Sequence, residues 1–170
     1  MTTDGRQQVK RTGLYTDAER KRRDGTVWTL VQGILAPLQF VVFLVSLGMV
    51  MRTLLTGEGV EAAHISILIK TFVLYTIMVT GAVWEKVVFG QYLFAPAFFW
   101  EDVVSFVVIA LHTLYLFGLL FGFMTDVQLF AITLAAYATY VVNAAQFLLK
   151  LRAARLQYEE EAFRTMEVVQ

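Results

Sequence analysis

Four long stretches of this chain carry almost no charge, and that pattern decides most of what it can become. Residues 25–51, 103–125 and 127–149 contain no Asp, Glu, Lys or Arg, and residues 62–84 contain only Lys70. A helix rises about 1.5 Å per residue and the hydrocarbon core of a bilayer is about 30 Å thick, so about 20 apolar residues cross it and each stretch suffices. A very apolar soluble bundle would show a polar stripe on every helix; these stretches show isolated polar residues instead. Composition agrees, since 58% of the 170 residues are hydrophobic and 16% charged, against about 25% charged in soluble domains. The expected fold is all-α, an integral membrane four-helix up-down bundle forming one domain, with spans near 28–51, 65–84, 103–123 and 127–149.

The apolar runs start only after 24 mostly polar residues and lack an A-x-A-like cleavage end, so the first span is expected to remain in the mature protein. Basic residues set the orientation. Seven precede the first span (Arg6, Lys10, Arg11, Arg20, Lys21, Arg22, Arg23), Lys86 lies between the second and third, and Lys150, Arg152, Arg155 and Arg164 follow the fourth. Only Arg52 falls in the other loops, which puts residues 1–26, residues 150–170 and the middle connection in the cytoplasm. Trp28, Trp84 and Trp100 all fall at that same interface, where tryptophan is favoured. Gly57-Glu58-Gly59 and Met124-Thr125-Asp126 read as short turns, and short connections make neighbouring helices antiparallel. The extreme ends, residues 1–13 and 158–170, are expected to fray.

Residues 87–100 are uncharged but too few to cross. This aromatic run, broken by Gly90 and Pro96, reads as an interfacial or re-entrant segment between the second and third spans. It is either a belt in the headgroups or the wall of a pocket for a flat apolar ligand, with Phe89, Tyr92, Phe94, Phe98, Phe99 and Trp100 offering ring faces. Polar residues inside the spans each ask for a reason. Gln32, Gln39 and Ser46, spaced by seven, make one stripe. Asn143 and Gln146 are one turn apart, and Glu101, Ser105 and His112 share a face. The amides either hold helices together or line a site, and His112 is either a hydrogen-bonded core residue or a ligand. Lys70 reads as close enough to the outer surface to snorkel. Glu101 and Asp102 open a helix, where acids act as caps. Yet Glu85, Glu101, Asp102, Gln32, Asn143 and Gln146 all gather in the cytoplasmic third, and a reactive site is expected there.

Equal numbers of acidic and basic residues, fourteen each, offer no argument for a nucleic-acid partner, and the absence of cysteine excludes disulfides, thiolate chemistry and iron-sulfur clusters. There is no G-x-G-x-x-G, P-loop, H-E-x-x-H or nucleophile elbow, and with two histidines a His-rich metal site is not expected. The lack of paired haem-type histidines disfavours a quinone-linked subunit.

Three strings are more specific than hydropathy. They are the opening with Leu14-Tyr15-Thr16 and Val27-Trp28-Thr29-Leu30-Val31-Gln32-Gly33-Ile34-Leu35-Ala36-Pro37, the middle from Tyr75 to Asp102, and the close from Ala136 to Phe147. Together they resemble the 3-vinyl bacteriochlorophyllide hydratases, over roughly residues 14–156. The resemblance implies an enzyme of bacteriochlorophyll synthesis, a lyase that adds water across the C3 vinyl group of chlorophyllide a to give the 3-(1-hydroxyethyl) product. It implies a chlorophyllide-type substrate, the lipid bilayer as surroundings, and room for contact with other pigment-biosynthesis enzymes. It brings no catalytic residues with it.

That chemistry needs a proton for the terminal vinyl carbon and water for the inner one, with the intermediate cation spread over the macrocycle. A partly buried carboxyl can keep its proton near neutral pH, which nominates Glu85 or Glu101 as the acid. Asp102, Asn143 or Gln146 would orient the water. Gln32, Phe89, Tyr92, Phe98, Trp100 and His112 would bind the ring, His112 or a glutamine as axial ligand of its magnesium, and the free propionate would turn to the basic cytoplasmic side. No redox or group-transfer cofactor is expected, because only the elements of water move. The alternative is a non-catalytic membrane pigment-binding carrier or assembly factor.

Overall fold

The computed structural model describes residues 13–168 and consists, over that range, of five helices: α1 Asp17–Gly25, α2 Val27–Thr56, α3 Val60–Phe89, α4 Phe99–Phe121 and α5 Asp126–Val168. Arg6, Lys10 and Arg11 lie outside the described residues, as does the side chain of Arg164. Four of the helices are long and apolar enough to cross a bilayer, α2, α3, α4 and the Asp126–Leu156 part of α5. Their surfaces are those of a protein solvated by lipid. Phe72, Leu120 and Val127 are 72%, 73% and 72% exposed, whereas Lys70, His112 and Gln39 are inside.

The turns follow from local chemistry. Between α2 and α3, Gly57 and Gly59 adopt φ of 74° and 79°, a conformation open to glycine without strain, so the chain reverses within three residues as expected. Thr125 opens α5 with a reciprocal cap: its N–H donates to Gln128 Oε1 (2.9 Å) and its Oγ1 accepts from the Gln128 N–H (3.4 Å). The helices outrun their charge-free windows. α2 runs past its window at the carboxy-terminal end and α3 and α5 at both ends, because isolated charges near a helix end lie in the polar headgroup region without breaking the helix. The carboxy-terminal segment expected to fray continues α5 through Val168, with no Gly or Pro to stop it and an Arg155–Glu159 pair one turn apart (3.1 Å).

The amino-terminal segment holds a helix where only a polar end was expected. Thr16 and Glu19 form a capping box, with the Thr16 N–H donating to Glu19 Oε2 at 2.8 Å. This fixes α1 so that Tyr15 stacks on Phe89 (5.7 Å between centroids, 13°). Burial pushes the Tyr15 phenol above its ordinary pKa, against the pull of Arg23, whose guanidinium lies 4.7 Å over the ring.

The core is layered along the bundle axis. Tyr15, Val88 and Phe98 pack at the end that carries α1 and the α3–α4 connection, here termed proximal. Phe43, Leu74, Val108 and Tyr137 fill the middle, and Val50, Ile67, Tyr115 and Leu129 fill the distal end. Polar bonds stitch the layers. Ser46 Oγ contacts Ser66 Oγ (2.7 Å) and Tyr137 OH (2.6 Å), joining α2, α3 and α5, and His64 bridges Tyr115 OH (2.7 Å) and Asp126 (3.1 Å). Tyr137→Phe is expected to destabilise the bundle by about 1 kcal/mol, the size of an interhelical hydrogen bond in a membrane, read as an earlier unfolding midpoint in mixed detergent micelles.

Candidate functional site

α2 runs closely along α3, and α4 along α5, so the bundle is two hairpins that meet each other mainly through side chains. At the proximal end this seam is crossed by two acids. Glu85 lies in the last turns of α3 and Asp102 in the first turn of α4, and the reversal of the chain between them brings their carboxyl groups into direct contact. They are 5% and 4% exposed. The connection that makes the reversal, residues 90–98, is tied down by the same acids. The Ala95 N–H donates to Glu85 Oε2 (3.2 Å), and the Phe94 N–H donates to Asp102 Oδ2 (2.7 Å). Phe94 has φ of 58°, rare for a residue with a side chain and worth about 1–3 kcal/mol of strain. Such strain persists only where the surroundings over-determine it, and here a carboxylate holds the strained amide.

Glu101 is engaged elsewhere. Its carboxylate forms a short ion pair with Lys150 Nζ, which also donates to the Ala97 carbonyl and so clamps α5 to the start of α4. Asn143 Nδ2 donates to Ser105 Oγ (2.7 Å), one turn deeper than Asp102. That leaves Asn143 Oδ1 and Gln146 Oε1 buried, with no hydrogen-bond partner among the described residues. Gln32 is not part of this group, since its Nε2 donates to Thr80 Oγ1 (2.8 Å) and binds α2 to α3.

The aromatic residues divide into two sets. Phe89 and Phe98 face inward with Trp84, Tyr15 and Phe147, and Phe98 is 2% exposed with Phe147 stacked on it at 5.8 Å. Tyr92, Phe94, Phe99 and Trp100 face outward, and Phe94 stacks on Phe106 (5.4 Å, 13°). Tyr92 and Trp100 therefore lie on a different surface from Phe89 and Phe98.

Deeper in the seam, Gln39, Lys70 and His112 are buried. The expectation that Lys70 snorkels is corrected. The residue faces the interior, its Nζ 4.0 Å from the Tyr140 ring centroid, because its position on α3 points toward α5 and not toward lipid.

Glu85, Asp102, Glu101, Asn143 and Gln146 thus assemble at the proximal end, while His112 lies ten residues, about 15 Å, further along α4. Sequence reasoning passed over Lys150 and the Phe94 amide. The spacing of Asn143, Gln146 and Lys150 along one helix face was a usable signal for the first; nothing in the sequence announces the second, which depends on the fold of the connection.

A family model described as 2-vinyl bacteriochlorophyllide hydratase matches residues 15–153. Among relatives, a 2-vinyl bacteriochlorophyllide hydratase of Rhodobacter capsulatus is 70% identical over 155 residues, covering 91% of this chain and 90% of the relative. One of the same name from Cereibacter sphaeroides is 71% identical over 146 residues, covering 86% and 91%. No solved structure matches the chain.

Proposed function

The chain belongs to the 2-vinyl bacteriochlorophyllide hydratase family, and on that premise we propose that it adds water across the ring vinyl group of a chlorophyllide-type tetrapyrrole during bacteriochlorophyll synthesis, with the Glu85–Asp102 pair as its acid. The substituent at position 2, when only the pyrrole β-carbons are numbered, is the C3 vinyl when all ring carbons are. The single observation that carries the assignment of the acid is the contact between two buried carboxyl groups across the seam. Two such groups side by side hold one proton between them in preference to two negative charges. That proton is available for the terminal vinyl carbon, which becomes a methyl group as the double bond supplies its electron pair. The positive charge left on the inner carbon is conjugated with the macrocycle. Water attacks that carbon and gives up a proton to the carboxylate pair, which restores the starting state, so the balance is one water added.

Asn143 Oδ1 and Gln146 Oε1, buried acceptors without partners among the described residues, suit the hydrogens of the attacking water. Glu101, already neutralised by Lys150, is a strut and not the acid. Phe89 and Phe98 give the mouth of the seam an apolar floor, and Tyr92 and Trp100 fit a belt at the membrane interface. In this reading the proximal end faces the cytoplasm, where Arg20, Lys21, Arg22 and Arg23 favour anionic headgroups.

The test is to incubate the protein in native membranes or nanodiscs with chlorophyllide a in deuterated water. The expected product is heavier by one water, has its red absorption band at shorter wavelength, and carries one deuteron on the new methyl carbon. Binding without conversion, or a product with no carbon-bound deuteron, would overturn the proposal, the first in favour of a pigment carrier.

A further inference from the structure

Midway along the seam, four helices converge on polar atoms that the chemistry at Glu85 and Asp102 leaves unused. Gln39, Lys70 and His112 are 2%, 0% and 1% exposed. Both amide atoms of Gln39, Lys70 Nζ and His112 Nε2 are without hydrogen-bond partners among the described residues. Tyr137 and Tyr140 of α5 connect the three. His112 and Tyr137 have ring centroids 6.0 Å apart, and Lys70 lies over Tyr140. Gln39 shares a helix face with Phe43 and Ser46, which both touch Tyr137. Ionisable and amide groups at this depth are expensive in a membrane and mark a ligand.

His112 decides what kind of ligand. The Val108 carbonyl can only accept, so the 2.8 Å contact means that His112 Nδ1 carries the ring proton and donates it. In the neutral ring Nε2 then presents its lone pair to the interior. An imidazole oriented through a hydrogen bond from one nitrogen, with the other left bare, is the arrangement of a metal ligand. No group of three His, Cys, Asp or Glu among the described residues could hold a free ion, so the metal must arrive already caged by other donors with an axial position open. The magnesium of a chlorophyllide meets that description, and the acceptor oxygens on the ring's rim suit Lys70 Nζ and Gln39 Nε2.

Resting on the function proposed above, we propose that His112 Nε2 is the axial ligand of the substrate's magnesium, with the macrocycle inserted edge-on into the seam between the hairpins and its vinyl edge toward Glu85 and Asp102. Asp102 and His112 are about 15 Å apart along α4, with the acid on the proximal side, so a ring held at His112 has the carboxyl pair beyond its proximal edge. The hairpins meet there mainly through side chains, so a ring entering the seam displaces side-chain packing and few backbone contacts.

The test is equilibrium binding of zinc pheophorbide a and metal-free pheophorbide a to the protein in nanodiscs, which needs no turnover. Wild-type protein is expected to prefer the zinc pigment at least tenfold and to show the absorption signature of an axial nitrogen ligand. His112→Gly should erase the preference while keeping affinity for the metal-free pigment, and added imidazole should restore both preference and signature. Lys70→Met should weaken both pigments equally. A preference that survives in His112→Gly, or that is missing from the wild type, overturns the assignment. Hydration of chlorophyllide a by wild-type protein that shows no metal preference would sink this proposal and leave the proposed function standing; metal preference without hydration would do the reverse.

Discussion

Replacing Glu85 by glutamine is expected to lower the rate of hydration by about 10²–10⁴-fold, the contribution of a positioned general acid, while the protein still inserts and accumulates. The amide keeps an oxygen to accept the Ala95 N–H, so the fold of the connection has what it needs. What it loses is the shared proton. Asp102→Asn should behave alike, since its amide oxygen can still hold the Phe94 N–H against the strain at φ 58°. The measurement is single-turnover conversion of chlorophyllide a by equal amounts of folded protein. Full activity in both variants would remove the carboxyl pair from the chemistry. Glu101→Gln, by contrast, is expected to retain measurable hydration, because its carboxylate is occupied by Lys150.

Lys150→Met is expected to cost about 3 kcal/mol of stability, the lower end for a buried pair broken by removing one partner. Glu101, with its side chain only 6% exposed, is left as an uncompensated charge, and the Ala97 carbonyl loses its donor. The Lys150 side chain is 25% exposed, so water screens part of the pair and the upper end does not apply. Reversible unfolding in mixed micelles checks the value. The Lys150→Met, Glu101→Gln double variant should recover more than half of the loss, because the charge that had no partner is gone. A double variant no better than Lys150→Met alone would show that the carbonyl contact, and not the ion pair, holds α5 to α4.

The bundle was legible because lipid imposes a one-dimensional rule. A span must be apolar over about 20 residues and satisfy its backbone within itself, so the charge-free windows name the helices directly. The turn at Gly57-Glu58-Gly59 was legible for a similar reason, local chemistry read at single positions. α1 was missed although its capping box, Thr16 to Glu19, stands in the sequence, because a short polar helix has no hydropathy signal.

The candidate site was legible only as a list. Glu85, Glu101 and Asp102 were expected together because antiparallel helices return their ends to one side of the membrane. Depth along a helix follows from counting residues, and it separated His112 from the acids in advance. The direction of a side chain around its helix axis follows only where polar residues align, as Gln39 and Ser46 do on α2, and the partner that an inward side chain meets does not follow at all. Tertiary packing alone therefore decided that Asp102 meets Glu85 while the adjacent Glu101 takes Lys150, that Lys70 turns inward to Tyr140, and that Phe98 is enclosed while Tyr92 and Trp100 are not.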